Sequence, residues 1–440
     1  MMDYREMADA LAAEIARGTL RPGERLPTQR RFARAHGIAV STASRVYAEL
    51  ARRGLVVGEV GRGTFVRTGE PPPEIALAEP RQARVDLELN FPVLPEHPAM
   101  LAESLRATLR PDAMAAAVRP VGTEGTARAR EVSAGLLARG GWAPRPDDVL
   151  FAGTGRQAIA AVLAALVPPG ERLGVEALTY PVVKGIAARL SIQLVPLAMD
   201  DQGVVPDAVS GSLRALYLQP ALHNPLGVSM SAQRRAAIAD VLRDREIPLV
   251  EDGIYGFLHD DPPVSALVPE LGVLVDSLSK RLAPGLTLGF AVVPPRLHAR
   301  VAAANRSGGW AAQRFALEAA RGWIADGTAA RLQADKRADA QARQALLAER
   351  LAGFAVHADP RAYHCWWVLP EHWRAETFVA AAARHGIAVT PAAAFAVGAA
   401  RAPHAVRLAL AAPPLPVLAA ALGRLADIAR GADDSGGDSC

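Results

Sequence analysis

Apolar positions recur along this chain with two different periods, and the change of period divides it. Over residues 4–17, Met7, Leu11 and Ile15 fall at i, i+4 and i+8, which predicts a helix stopped by Gly18. A turn follows at Arg21-Pro22-Gly23. Thr28 predicts the N-cap of a second, short helix over 29–36, ended by Gly37. Ser41 predicts the cap of a third helix that runs to Arg53 and stops at Gly54. Leu55-Val56-Val57 and Thr64-Phe65-Val66, on either side of a turn over 58–63, predict strand, turn and strand. From about residue 120 the pattern changes to short apolar runs alternating with helical ones. Strands are expected at 149–152, 172–176, 215–218, 248–251, 273–276 and 289–293, with helices at 157–166 and 183–190. Such alternation predicts an α/β fold with a doubly wound, mostly parallel sheet and a site at the strand C-termini.

Between the two patterns, Gly69-Glu70-Pro71-Pro72-Pro73 and the Pro/Glu-rich residues to about Ala83 predict a stiff, extended connector. The apolar Ile75 and Leu77 are expected to dock on the body. The chain therefore reads as a head (1–68), a connector (69–85), a body (86–430) and a polar, disordered tail (431–440). No internal repeat is visible.

Composition narrows the class. At 440 residues the chain is too long for one ordinary domain, and 50% hydrophobic residues permit a large core. Its two cysteines, Cys365 and Cys440, exclude a disulfide scaffold and a CxxC metal knuckle. No apolar run reaches the roughly 18 residues of a membrane span. The acidic, mixed N-terminus is no signal peptide, so a soluble, cytoplasmic protein is expected. The first 70 residues hold 12 Arg against 8 Asp/Glu, whereas the remainder balances 37 Lys/Arg with 37 Asp/Glu. All the net charge of +4 sits in those first 70 residues. Only three lysines occur, Lys184, Lys280 and Lys336.

Three helices and a β-ribbon outline a winged helix-turn-helix. The third helix would enter a major groove and present Ser41, Thr42, Ser44 and Arg45 to phosphates or base edges. Gly61-Arg62-Gly63-Thr64 would form the wing tip, where Arg62 can enter a minor groove and glycines let backbone N–H groups approach. A plainer reading is a helical domain whose surface arginines serve protein contact. The head resembles the GntR family of bacterial DNA-binding domains through Leu26-Pro27-Thr28-Gln29-Arg30, through Thr42-Ala43-Ser44-Arg45-Val46-Tyr47-Ala48-Glu49-Leu50, and through Gly61-Arg62-Gly63-Thr64-Phe65-Val66. The resemblance implies that Arg30 touches DNA phosphate. Val40 departs from it, standing where these domains often carry a DNA-contacting arginine.

In the body, Gly153-Thr154-Gly155-Arg156-Gln157-Ala158 fits G-x-G-x-x-A between a strand and a helix, and Glu176 ends the next strand. That is a passable dinucleotide fingerprint, but a glycine-rich turn at a helix N-terminus binds any phosphate. Lys280 favours another cofactor. It follows an apolar strand, in Asp276-Ser277-Leu278-Ser279-Lys280-Arg281, among small hydroxyls suited to an aldehyde-bound lysine. Pyridoxal 5'-phosphate needs a lysine for its aldehyde, a carboxylate for its ring nitrogen, donors for its phenolic oxygen, a phosphate cradle and a stacking ring. Asp252, Tyr255, Asn224 and Tyr180 all lie where a strand hands over to its loop.

The body resembles the fold type I, class I aminotransferases over essentially its whole length. The resemblance implies that Lys280 forms the Schiff base, Asp252 serves the ring nitrogen, Tyr255 and Asn224 the phenolic oxygen, and Tyr180 stacks on the ring. It implies a phosphate site from Gly153, Thr154, Gly155, Arg156, Ser277 and Ser279, and an α-carboxylate grip by Arg407 in Ala405-Val406-Arg407-Leu408. It also implies a large part over about 120–300 and a smaller α+β part over about 301–430. Thr287 departs from the pattern, standing where the family usually places a phosphate-binding arginine, and Arg281 is the expected substitute.

A GntR-type head on an aminotransferase-type body resembles the MocR family of transcriptional regulators. That implies a homodimer reading two operator half-sites on double-stranded DNA. It also implies an amino-compound effector sensed by forming an external aldimine that releases Lys280. A working aminotransferase carrying a DNA-binding head, and a regulator that no longer holds the cofactor, are the other readings. Lys184 and Lys336 read as ordinary lysines, the latter on a solvated helical face over 333–343. Cys365 reads as core. His364, His372 and His385 lack HExxH-like spacing, so no metal site is expected.

Overall fold

In the computed structural model, residues 4–16, 19–20, 24–52, 55–59, 63–66, 83–398 and 402–431 are described. The chain divides into two units, Met1–Ala76 and Leu77–Cys440. Arg62, most of the 69–85 connector with Ile75 and Leu77, and the tail beyond residue 431 lie outside the described residues.

In the head, α1 (Tyr4–Ala16), α2 (Gln29–His36) and α3 (Val40–Arg52) precede an antiparallel ribbon, β1 (Val56–Glu59) with β2 (Gly63–Val66). The caps follow local chemistry. Thr28 Oγ1 accepts the Arg31 N–H at 3.3 Å, and Gly37 at φ 62° ends α2 in the left-handed region. The third helix departs from expectation. The N–H groups of Thr42 and Ala43 both donate to Ala39 O, so Ser41 lies inside the first turn rather than capping it. Ala43, Val46, Tyr47 and Leu50 of α3 pack with Met7, Phe32 and Val66 to form the head's core.

The body is built on a seven-stranded sheet. Its strands are β3 (Val149–Ala152), β4 (Arg172–Glu176), β5 (Gln193–Leu197), β6 (Ala215–Leu218), β7 (Leu249–Asp252), β8 (Gly272–Ser277) and β9 (Gly289–Val292), in spatial order β3-β9-β8-β7-β6-β4-β5. Only β9 runs antiparallel to its neighbours. Most of these strands are buried on both faces, because helices cover both sides, and this is why they read as continuous apolar runs. The edge strand β5 had no such signature, being half exposed and interrupted by Pro196. Connecting helices include α4 (Gly155–Leu166), α5 (Pro181–Arg189) and the one-turn α6 (Leu278–Arg281).

Beyond the sheet come α7 (Pro295–Ser307), α8 (Arg314–Ala325) and the long α9 (Thr328–Arg350). A four-stranded antiparallel sheet follows, in spatial order β10 (Ala355–Ala358), β11 (His364–Val368), β13 (Ala405–Ala409), β12 (Thr390–Pro391), with α10 (Ala375–Arg384) and α11 (Leu415–Ala429). The division expected near residue 301 falls instead along α9. Val301 and Ala302 pack into the large sheet's core, Leu317, Trp323 and Leu332 pack with Phe151 and Phe290, and only from Leu347 does the chain join the small part's core. Val85 pairs with Ile387 and Leu87 is buried in that same core, so the start of the body belongs to the small part.

Candidate functional site

Five parallel strands deliver residues to one edge of the large sheet. β3 leads into Gly153, Thr154, Gly155 and Arg156; β4 into Tyr180; β6 into Asn224; β7 into Asp252 and Tyr255; β8 into Ser277, Ser279 and Lys280. The antiparallel β9 begins at that edge, with Gly289 opposite both Ala152 and Ser277. Only glycine fits there, since a Cβ would lie 2.2 Å from Thr154 O.

Lys280 is half-buried. Its Nζ donates to Asn90 O and lies 3.5 Å from the centroid of the Phe91 ring. Burial pulls its pKa well below the usual lysine range, and the positive charges of Arg407 and Arg156 pull it further. A lowered pKa shifts a lysine toward its neutral, nucleophilic form.

Asp252 is buried. Its Oδ2 accepts the Tyr217 hydroxyl at 2.6 Å and its Oδ1 the Ile254 N–H at 3.1 Å. Burial raises its pKa to about 6, while the Tyr217 bond holds it down. Gln219 Nε2 donates to the Tyr217 hydroxyl at 3.1 Å, and Gln219 Oε1 accepts the Asn224 N–H at 3.0 Å. Tyr217 and Gln219 therefore join Asp252 to Asn224, a link the sequence reading lacked. Their alternation along β6 into the following loop was the available signal. The Tyr255 hydroxyl accepts from Asn90 Nδ2 at 2.9 Å, and burial raises its pKa. Asn90 and Phe91 were also missed, because they sit at the start of the body, far from the site in sequence.

On the phosphate side, Thr154 Oγ1 accepts the Gln157 N–H at 3.1 Å and caps α4. The Ser277 and Ser279 hydroxyls lie 2.7 Å apart, and an added Cβ at Gly155 would stand 3.0 Å from Ser277. The glycine turn and the two serines thus converge. Arg156 is exposed and close enough to Tyr180 to oppose the rise in that phenol's pKa caused by burial.

Arg281 corrects an expectation. It is buried, its Nη2 lies 2.6 Å from Asp276 Oδ2, and its Nη1 donates to Gln333 Oε1 at 2.6 Å. A guanidinium committed to a buried carboxylate does not replace the arginine missing at Thr287. Glu176 corrects the dinucleotide reading. It is buried, accepting the Gln219 N–H at 2.5 Å and the Thr179 hydroxyl at 3.3 Å, so it does not face a ribose. Burial lifts its pKa to about 8.

Arg407 comes from β13 of the small part. Its Nη2 donates to Glu88 O at 2.6 Å and to Thr390 Oγ1 at 2.9 Å. The other lysines also differ from expectation. Lys184 Nζ donates to Ala394 O at 3.0 Å and Ala396 O at 2.9 Å, and Lys336 is fully buried rather than solvated. Cys365 is core, its thiol pushed up to about 12 by burial. Among the described residues no group of histidines, cysteines and carboxylates could hold a metal ion.

In the head, Ser41, Ser44 and Arg45 are exposed on one face of α3, Thr42 is half-buried, and Arg30 is exposed on α2. The Arg45 guanidinium lies 3.9 Å from the centroid of the Tyr4 ring. Gly63, at φ 120°, begins β2 against the Arg25 side chain, and Thr64 O accepts the Leu26 N–H at 2.8 Å.

The buried Asn224 Oδ1, Arg407 Nε and Thr287 Oγ1 have no hydrogen-bond partner within the described structure. Buried polar atoms are ordinarily paired. These atoms, with Lys280, Asp252 and the glycine-serine cradle, fit a ligand bearing an aldehyde, a ring nitrogen, a phenolic oxygen and a phosphate. Pyridoxal phosphate has that chemistry.

The fold and site define a DNA-binding head fused to an aminotransferase-type body. Residues 102–425 match the family described as aminotransferase class I and II, and residues 3–66 match the bacterial regulatory proteins of the gntR family. The chain is 30% identical to the uncharacterized HTH-type transcriptional regulator YdeF of Bacillus subtilis, over 93% of this chain and 90% of that protein. It is 27% identical to the HTH-type pyridoxine biosynthesis transcriptional regulator PdxR of Corynebacterium glutamicum, over 68% of each. An archaeal alanine:glyoxylate aminotransferase shares the fold, with a TM-score of 0.73 at 18% identity over 88% of this chain and 94% of that one. The chain belongs to the aminotransferase class I and II family and, through its fused gntR-family head, to the MocR-type transcriptional regulators. Among the described residues no helix is long and apolar enough to cross a membrane.

Proposed function

We propose that the body is a pyridoxal-phosphate-dependent sensor of an amino compound, and that its state sets how the head binds operator DNA. The observation that carries this is that Lys280, Asp252, Tyr255 and Arg407 lie close enough to feel one another's charge, with Asn224 tied to Asp252 through Tyr217 and Gln219. When bound, the cofactor supplies an aldehyde for amines and an electron-accepting ring. Lys280 offers the amine that holds the aldehyde. Asp252, oriented by Tyr217, would hold the proton at the ring nitrogen, and Asn224 and Tyr255 would hold the phenolic oxygen. Gly153, Thr154, Gly155, Arg156, Ser277 and Ser279 would take the phosphate, with no help from Arg281.

Arg407, with one guanidinium nitrogen unpaired among the described residues, would take the effector's carboxylate. An amino compound that engages both Lys280's partner aldehyde and Arg407 would bind across the two parts, favouring one relative arrangement over others. The body is expected to act as a homodimer, so that two heads meet two half-sites, with Arg30, Ser41, Thr42, Ser44, Arg45, Arg62, Gly63 and Thr64 as the DNA-facing set.

The test is the absorbance spectrum on adding pyridoxal phosphate, with borohydride trapping and peptide mapping. The parent chain is expected to gain a visible band and a covalent label on Lys280; Lys280→Ala is expected to gain neither. A band that survives Lys280→Ala would overturn the assignment. A second reading, a working aminotransferase, is favoured by the retention of Lys280, and turnover of amino donors with a keto acid would support it.

A further inference from the structure

The long helix α9 has one face on which Gln333, Lys336, Arg343 and Gln344 reach inward. Gln333 and Lys336, three residues apart, hold the turn that bears Lys280. Gln333 Oε1 accepts from Arg281 at 2.6 Å, and Lys336 Nζ donates to Lys280 O at 2.9 Å, Arg281 O at 3.1 Å and Leu282 O at 2.5 Å. Two turns further on, Arg343 Nη1 donates to Leu410 O at 2.6 Å and Pro413 O at 2.7 Å, while Gln344 Nε2 donates to Ala362 O at 2.7 Å and His364 O at 3.1 Å. Leu410 directly follows β13, the strand of Arg407. One helix thus grips the Lys280 turn at one end and the Arg407 sheet at the other.

The turn needs that grip. α6 has four residues and is too short to persist by itself. At its C-terminal end the backbone leaves the helix at Leu282 (φ −112°, ψ −84°). The last carbonyls of a helix have no intrahelical donor and favour a cation. Lys336 supplies three donors and the charge from another element. Its surroundings are sparse in counter-charge. Burial lowers its pKa to about 7 against the opposing pull of Asp339 on the same helix, and its charge is felt by His97 and Lys280.

We propose that Lys336 is a positioning residue for Lys280: its three hydrogen bonds fix the turn from which the Lys280 amine reaches the cofactor, and its charge is felt at that amine. The proposal deepens the pyridoxal phosphate reading and rests on it.

The test compares the full chain with Lys336→Met and Lys336→Gln. Circular dichroism checks folding. Absorbance titration gives the pyridoxal phosphate affinity, and a pH titration gives the midpoint of the Lys280-dependent band. Hydrogen exchange over 278–284 is measured without the cofactor. Lys336→Met is expected to bind pyridoxal phosphate about tenfold more weakly, as loss of a charged hydrogen-bond donor set allows. Its band midpoint is expected to move up, because a positive charge no longer opposes protonation of the Lys280 nitrogen. Exchange over 278–284 is expected to quicken. Lys336→Gln, which donates without charge, is expected to recover part of the affinity and keep the raised midpoint.

A folded Lys336→Met with parent affinity and parent midpoint overturns the proposal. Should Lys336→Met not fold, an unshifted midpoint in Lys336→Gln does so. A parent chain without a Lys280-dependent band overturns the cofactor reading and this proposal together, which separates that failure from the others.

Discussion

Three hydrogen bonds of 2.6, 3.1 and 3.0 Å link Asp252, Tyr217, Gln219 and the backbone of Asn224. Removing the middle hydroxyl strands the amide of Gln219 in a buried site. Tyr217→Phe is therefore expected to lower stability by about 1–3 kcal/mol, read as a shift in urea midpoint. It should also raise the pKa of Asp252, since the Tyr217 bond now holds it down. Glu176 gives a pH prediction. Burial lifts its pKa to about 8, above the unfolded value, so the folded chain favours the protonated acid. Stability tied to this group is present below the unfolded pKa and is lost as pH rises through about 8. Glu176→Gln is expected to melt near the parent at pH 4 and above it at pH 9, with a gain of no more than about 5 kcal/mol. A constant gap across that range would count against a buried carboxylate. At this scale Lys280, Asp252 and Asn224 were legible because their chemistry is tied to a strand end. Tyr217 was not, because a tyrosine inside an apolar strand reads as core until its hydroxyl has a partner.

Element boundaries followed local chemistry where a side chain or a backbone angle set them. Thr28 and Gly37 bracket α2 as expected, whereas α3 begins at Val40 because Ala39 O takes the first N–H groups and Ser41 caps nothing. The one-turn α6 shows the limit. Its sequence announces a lysine after a strand, but beyond the nearby Asp276 the partners of Arg281 and Lys280 come from α9 and from Asn90. A polar run at helical spacing is ordinarily a solvated face, and nothing local marks Lys336, Arg343 and Gln344 as buried. Arg281→Met would leave Asp276 as a buried, unpaired charge. It is expected to cost about 3–5 kcal/mol of stability. Its pyridoxal phosphate affinity, measured where the variant is folded, should stay within about threefold of the parent, a difference of under 1 kcal/mol. A large loss of affinity without loss of stability would return Arg281 to the phosphate.

At the scale of the whole molecule, charge and chemistry are segregated. The first 70 residues carry the net charge of +4 and the remaining residues balance to zero, so DNA contact is expected to follow the head. Arg30→Ala should weaken binding to duplex DNA and reduce the slope of log affinity against log salt by about 1, measured by fluorescence anisotropy across salt concentrations. An amino-compound effector that shifts DNA affinity in the parent should lose that effect in Lys280→Ala. The chain by itself determined the two-unit plan, every strand of the large sheet except the edge strand β5, and residue types that suit the proposed cofactor chemistry. Period, caps and strand-end motifs are local, and local interactions suffice to write them. Only the tertiary structure decided that the Asn90-Phe91 segment meets Lys280, that the charge of Arg407 is felt there, that Arg281 serves Asp276, and that Lys336 lies under the Lys280 turn. Those pairings join residues far apart in sequence, and whether a polar side chain is solvated or buried depends on the surface that folds over it.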